Sequence, residues 1–119
     1  MTDYAEYDHA GLQIRVAEEG ERVLVTWRGI SDTRDPSLVL WPFLSELVSR
    51  LKGETVVIDF RNFEYMNSAT VSPLIRFVKE LDAVGAKSTL LFDVAQQWQR
   101  VNAQCMRSIA RTLNAVTVP

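Results

Sequence analysis

Apolar residues along the chain change their spacing several times, and each change predicts an element. Leu12, Ile14 and Val16 alternate with Gln13 and Arg15, as in a strand with one buried face. Glu18-Glu19-Gly20-Glu21 is a polar turn in which Gly20 can take a positive φ. Val23, Val25 and Trp27 then alternate with Arg22, Leu24 and Thr26, so the two runs predict an antiparallel hairpin ended by Gly29. A polar loop from Ser31 leads to Asp35-Pro36, an N-cap side chain followed by proline at the first helical position. Leu40, Leu44, Leu47, Val48 and Leu51 form the apolar stripe of that helix, and Gly53 closes it. Pro42 falls inside the stripe and predicts a kink or a restart, with residues 36–41 as a separate turn.

Thr55 to Phe60 is a nearly unbroken β-branched and aromatic run, which predicts a central strand buried on both faces. Leu74, Ile75, Phe77, Val78 and Leu81 then repeat with a helical period up to Gly85. Between them lies the polar turn Asn67-Ser68-Ala69-Thr70, at the end of the strand where open α/β sheets place their sites. Thr89 to Phe92 reads as another buried strand. Asp93 can cap a helix from Val94 to about Ala110, with Val94, Trp98, Val101, Cys105 and Ile109 on one apolar face. Val116 and Val118 close the chain as a short edge strand. Residues 1–10 have no clear period and read as a loose N-terminal arm carrying Tyr4 and Tyr7, with the domain proper at 11–119. The expected order is β-β-α-β-α-β-α-(β). The fold class is α/β, a single domain with a mixed sheet of about four to five strands flanked by helices.

Composition narrows the function more than the fold. The chain of 119 residues is 47% hydrophobic and 24% charged, ordinary for one globular domain with a genuine core. Formal net charge is −2 without a long run of either sign, which argues against nucleic acid as the main partner. No apolar run approaches the roughly 20 residues that span a bilayer, and the acidic start Met1 to Glu6 is unlike a signal peptide. Cys105 is the only cysteine, so no intramolecular disulfide forms and a cytoplasmic setting fits. One His and one Cys, far apart, offer no metal-ligand spacing. No cofactor motif is present either.

Asn67, Ser68, Thr70 and Ser72 crowd four amide or hydroxyl side chains into six residues at a helix start. Two readings stay open. Asn, Ser and Thr are preferred N-caps, and Ser72-Pro73 alone makes a good later start that would leave Asn67 to Thr70 as exposed loop. Alternatively, a helix N-terminus favours an anion, so a serine there can carry a phosphate and act as a binding switch. Phe63, Tyr65 and Met66 are either a partner-facing patch or, the favoured reading, core at a strand end. Trp98 is either a surface hot spot or core, and its helical phase favours core. Arg100, Arg107 and Arg111 read as a solvated helix face, Cys105 as an inert core thiol, and Asp59 as a local ion-pair partner. A hydrolase using Ser68 would have only His9 as a base, so no catalytic residue is expected.

Taken together, Asp59, Phe63, Tyr65-Met66-Asn67-Ser68, the helix closed by Gly85, and Thr89-Leu90-Leu91-Phe92 resemble a STAS domain. This is the family of bacterial anti-sigma-factor antagonists, also found attached to anion transporters and stressosome proteins. Gly29-Ile30-Ser31-Asp32 is similar to the family's glycine-containing end of the second strand and the acidic loop residue after it. The resemblance runs from the first hairpin to the helix 94–110. It implies a switch in which a partner anti-sigma factor or related serine kinase phosphorylates one serine, only the unphosphorylated form binds that kinase, and a phosphatase is a further partner. By position Ser68 is the phosphoacceptor, with Thr70 as the alternate. The implied partner-binding set is Ser31, Asp32, Asn67, Ser68, Ala69 and Thr70. The chain departs from the family with Asn67 in place of Asp, with Ala69 and Thr70 in place of a second Ser or Thr and then Gly, and with Pro73 in the helix. The alternative is a constitutive scaffold or oligomerisation module whose Ser68 is only a cap.

Overall fold

The computed structural model describes the backbone of residues 2–119 and the side chains of residues 5–119. Three strands open the chain: β1 (Thr2–His9), β2 (Leu12–Glu19) and β3 (Arg22–Ser31). Helix α1 (Pro36–Arg50) leads to β4 (Thr55–Asp59) and β5 (Phe63–Met66), then α2 (Ser68–Ala83), β6 (Lys87–Leu91), α3 (Gln97–Ala110) and β7 (Val116–Thr117). The described residues form one seven-stranded sheet in the order β1-β2-β3-β4-β6-β7, with β5 paired to β3 alone. It is antiparallel across β1, β2 and β3 and parallel from β3 onward, a mixed sheet with more strands than expected.

Two of the additional pairings arise at turns and bulges. Residues 1–10, expected as a loose arm, pair with β2 from Thr2↔Glu18 to His9↔Leu12. The two-residue turn Ala10-Gly11 has positive φ at both positions (52° and 89°), the primed geometry whose twist suits a hairpin. Tyr7 reaches Phe43 of α1 at 5.3 Å between ring centroids, while the Tyr4 side chain lies outside the described residues. Strand β3 serves two neighbours in succession. Arg22 to Thr26 pair with β4, and Gly29 to Ser31 pair with β5 after a register shift at Gly29. Gly29 does not end the strand; its φ of +83° makes the bulge.

One sheet face carries the core. Val25, Ile58 and Leu90 lie side by side in register, and Leu44, Phe77 and Met106 from the three helices join them in one buried cluster. At its centre Trp27 is fully buried between Phe60 and Phe63, at 5.4 and 5.6 Å. On the opposite face Arg15, Thr26 and Asp59 are neighbours in register. There Asp59 receives two side-chain hydrogen bonds from Arg61, each 3.0 Å, which is the local pairing expected of it. Burial raises the Asp59 carboxyl, but the hydrogen bonds from Arg61 and the charges of Arg61 and Arg28 outweigh it and leave the pKa below its ordinary value.

The helices depart from expectation in instructive ways. Helix α1 runs through Pro42 without a separate first turn. Pro42 is exposed, and the carbonyl it leaves without an intrahelical donor belongs to Leu38, itself 74% exposed, so water can take over while the Leu40–Leu44–Leu47 side stays docked. Helix α3 starts at Gln97 rather than Val94, because Asp93 accepts from the Ala95 N–H and the Gln96 side-chain amide and closes a turn before the helix. Its buried residues are Gln99, Ala103 and Met106, not the expected apolar stripe. Cys105, expected in the core, is exposed. Gln99 sets this phase. Its Nε2 donates to the carbonyls of Phe60 (2.8 Å) and Phe63 (2.9 Å), and its Oε1 accepts from the Asp93 N–H (2.6 Å).

Candidate functional site

The ends of β3 and β5 and the start of α2 converge on one small network. Strand β5 brings Met66 beside Ser31, and the Asn67 N–H donates to the Ser31 carbonyl at 2.9 Å. Asn67 is then the N-cap of α2, with extended backbone and Oδ1 accepting from the Thr70 N–H at 3.1 Å. The Thr70 hydroxyl donates to the same oxygen at 2.7 Å. With its one proton committed there, Thr70 Oγ1 accepts from Ser31 Oγ at 2.8 Å. The other end of the amide, Asn67 Nδ2, donates to the Thr33 carbonyl at 2.9 Å. One residue therefore ties together the helix start and the loop after β3 through its side chain, and the end of β3 through its backbone N–H.

This network explains why α2 begins at Ser68 and not at Ser72-Pro73. Thr70 is fully buried and bonded to Ser31, 39 residues earlier, so the first turn is held by tertiary contacts and Pro73 lies inside the helix. The reading of Asn67 to Thr70 as exposed loop is corrected accordingly. The expected partner-binding set divides in two. Asp32, Ser68 and Ala69 are exposed, whereas Ser31 is 3% exposed and Thr70 0%, with both hydroxyls engaged. Buried hydroxyls held in this way are structural ties; Thr70 is not accessible as the alternate phosphoacceptor, and neither side chain is available to touch a partner. Asn67 is half-buried and works as the tie between them.

Around the exposed residues the surface is mixed. Tyr65, expected as core, is 48% exposed and sits in register beside Ile30, 39% exposed. Phe63 and Met66 are buried as expected. The first turn of α2 holds no acidic side chain, so its orphan N–H groups and partial positive charge are not offset there. Sequence reasoning missed Thr33, whose contribution is a backbone carbonyl and leaves no side-chain signal. Among the described residues, no three or more His, Cys, Asp and Glu side chains cluster to hold a metal, and no helix is long and apolar enough to cross a membrane.

Asn67 also has a specific chemical reason to be an amide. A carboxylate there would keep the two bonds from Thr70 but turn an acceptor oxygen toward the Thr33 carbonyl. Negative charge at an N-cap contributes roughly 0.3–1 kcal/mol, and leaving a partly buried carbonyl unpaired costs about 1–3 kcal/mol. Asn67→Asp is therefore expected to lower the unfolding free energy by about 1 kcal/mol, measured by urea denaturation near neutral pH. An unchanged or raised midpoint would show that the Thr33 bond does not matter.

No family model matches the chain, and no curated protein sequence matches it. Among solved structures it is similar to the crystal structure of an anti-sigma factor antagonist from Mycobacterium paratuberculosis, with a TM-score of 0.62 and 13% sequence identity. The match covers 89% of this chain and 85% of that one. At that identity the likeness is one of fold. The chain thus shares its overall fold with that anti-sigma factor antagonist structure, and Ser68 stands at the exposed start of α2.

Proposed function

We propose that this protein is a cytoplasmic interaction switch of the anti-sigma-factor-antagonist kind, with Ser68 as its phosphoacceptor. The partner is an anti-sigma factor or related serine kinase, and a phosphatase resets the switch. The observation that carries the reading is the division of labour at the start of α2. Ser31, Asn67 and Thr70 hold the turn from within, while Ser68 is left exposed at the first helical position. A phosphate there adds about −1.5 to −2 charges where the helix N-terminus tolerates them, so the fold survives modification. The same charge repels an acidic partner surface at a cost of several kcal/mol. The domain itself performs no chemistry in this scheme.

A second reading rests on Asn67. Its amide is committed to the Thr33 carbonyl, so the position offers a kinase no acidic residue before the serine. On that reading the protein is a constitutive STAS-type scaffold or oligomerisation module. Phosphopeptide mapping by mass spectrometry of protein purified from growing and stressed native cells separates the two. Occupancy at Ser68 that changes with condition is expected for the switch, whereas protein unmodified in every condition leaves the scaffold. With the kinase in hand, Ser68→Asp is expected to weaken binding at least about tenfold, roughly 1.4 kcal/mol, while Ser68→Ala retains it. Equal binding by wild type and both variants would remove the switch.

A further inference from the structure

The sheet ends on one side in a strand whose outer edge is open. Among the described residues β1 pairs with β2 alone, whereas β7 at the opposite edge is two residues long. Ladder bonds alternate along antiparallel strands. The Ile30 N–H donates to the Gly11 carbonyl, one residue past the Leu12↔Gly29 pair, so Leu12 turns its own N–H and C=O toward His9 across the hairpin. Alternation then turns Tyr7 inward as well, and leaves the N–H and C=O of Glu6 and Asp8 pointing away from the sheet. Beside this edge runs a groove of about 220 Å³ between β1 and α1, lined by Ala5, Glu6, Phe43, Glu46, Leu47 and Arg50. Unpaired backbone groups next to a groove select an extended peptide. Only a strand answers a row of N–H and C=O groups while placing alternate side chains in the groove.

Charge and register identify which peptide. Ala5 and Tyr7 pack on the helix side, where α1 supplies one acid, Glu46, and one base, Arg50, which is itself engaged within the chain. Side chains entering there meet Ala5, Phe43 and Leu47, so apolar groups fit. Glu6 and Asp8 alternate to the other face, both exposed, and residues 1–14 contain no Lys or Arg. On that face Arg15 lies in register beside Glu6, and Arg28 beside Gln13. At the usual strand spacing these bases stand about 10 and 14 Å from an added strand, and the two acids about 5 Å from it. With a screening length of about 8 Å at physiological salt, the acids dominate. A second copy is the wrong occupant, because two-fold pairing centred on Glu6, Tyr7 or Asp8 sets an acid opposite an acid in every case. We propose that the β1 edge docks an extended segment of a protein partner in which apolar residues alternate with Lys or Arg. This docking uses no residue of the Ser68 site and does not depend on phosphorylation.

The test uses the full chain and fluorophore-labelled synthetic peptides of eight residues, the length of β1, read by anisotropy. A peptide of alternating Lys and Val is expected to bind at least about tenfold more tightly than its Glu and Val counterpart, and to weaken as NaCl rises from 50 to 500 mM. N-methylation of the Lys-Val peptide on all Lys or on all Val keeps the side chains but removes alternate donors. Binding is expected to be lost for the one set that faces the edge. Hydrogen exchange of the Glu6 and Asp8 amides is expected to slow at least about tenfold at saturation, while that of Tyr7, already paired with β2, stays as it was. Glu6→Gln with Asp8→Asn, isosteric changes at exposed positions that leave the thermal melt in place, is expected to remove the preference for the Lys-Val peptide. Equal affinity for the two peptides, no binding of either, binding that survives both methylated forms, or unchanged exchange at Glu6 and Asp8 overturns the proposal. So does a dimer in sedimentation whose formation protects the same two amides, which would make a second copy the occupant.

Discussion

Gly29→Ala is expected to destabilise the domain by about 3 kcal/mol or more, well beyond the usual cost of a substitution in a strand. Two effects add. At φ +83° an L side chain is strained, a cost of about 1–2 kcal/mol. The new Cβ would also collide with the Gly11 carbonyl, a backbone group held in the Ala10-Gly11 turn and already accepting from the Ile30 N–H at 3.0 Å. Neither side can give without opening the hairpin or undoing the bulge that passes β3 from β4 to β5. Because that bulge places Ser31 against Asn67 and Thr70, the damage extends to the start of α2. Gly20→Ala is the control. Its φ is +66°, but no atom lies within 4 Å of the added Cβ, so only the backbone cost of about 1–2 kcal/mol is expected. Urea denaturation of the two variants side by side decides the matter. Equal losses would mean that the contact with Gly11 contributes nothing.

Gln99→Glu is expected to cost about 2–4 kcal/mol near neutral pH. The carboxylate still accepts from the Asp93 N–H, but it can no longer donate, and it faces the buried carbonyls of Phe60 and Phe63. Those carbonyls belong to the turn that carries the chain from β4 to β5, with Trp27 packed against both rings. The loss should depend on pH in a definite direction. Burial among acceptors raises the pKa of the introduced Glu in the folded state above its unfolded value of about 4.3. The folded state then binds the extra proton, so the deficit relative to wild type is full above the raised pKa. It shrinks as pH falls from there toward the unfolded value. Melting of both proteins from pH 7 to pH 5 checks this; a constant difference would show that the introduced carboxyl remains solvated. Gln99→Leu should show no such recovery, since it leaves all three backbone groups unpaired at every pH.

Much of the fold was legible because it is written in short-range patterns. Alternation marked β2 and β3, the β-branched run marked β4, and the helical periods marked α1 and α2. Each is a local consequence of burying one face of a strand or one stripe of a helix. The crowding of Asn67, Ser68 and Thr70 marked the start of α2 for the same reason, since an N-cap acts within three residues of itself. What escaped was set by partners distant in sequence. Strand β1 depends on a turn, Ala10-Gly11, that lacks the usual Asn-Gly signal. Strand β5 is ordered by β3, more than 30 residues earlier. Ser31 and Thr70 looked like surface hydroxyls until the fold brought them together and buried both. The phase of α3 follows from two carbonyls more than 30 residues before Gln99, whose donated bonds turn a polar side chain inward. Hydrophobic spacing alone favoured the Val94–Val101–Cys105 side. A buried hydrogen-bonding group is worth placing only where its partners already wait, and that information resides in the assembled chain, not in any window of it.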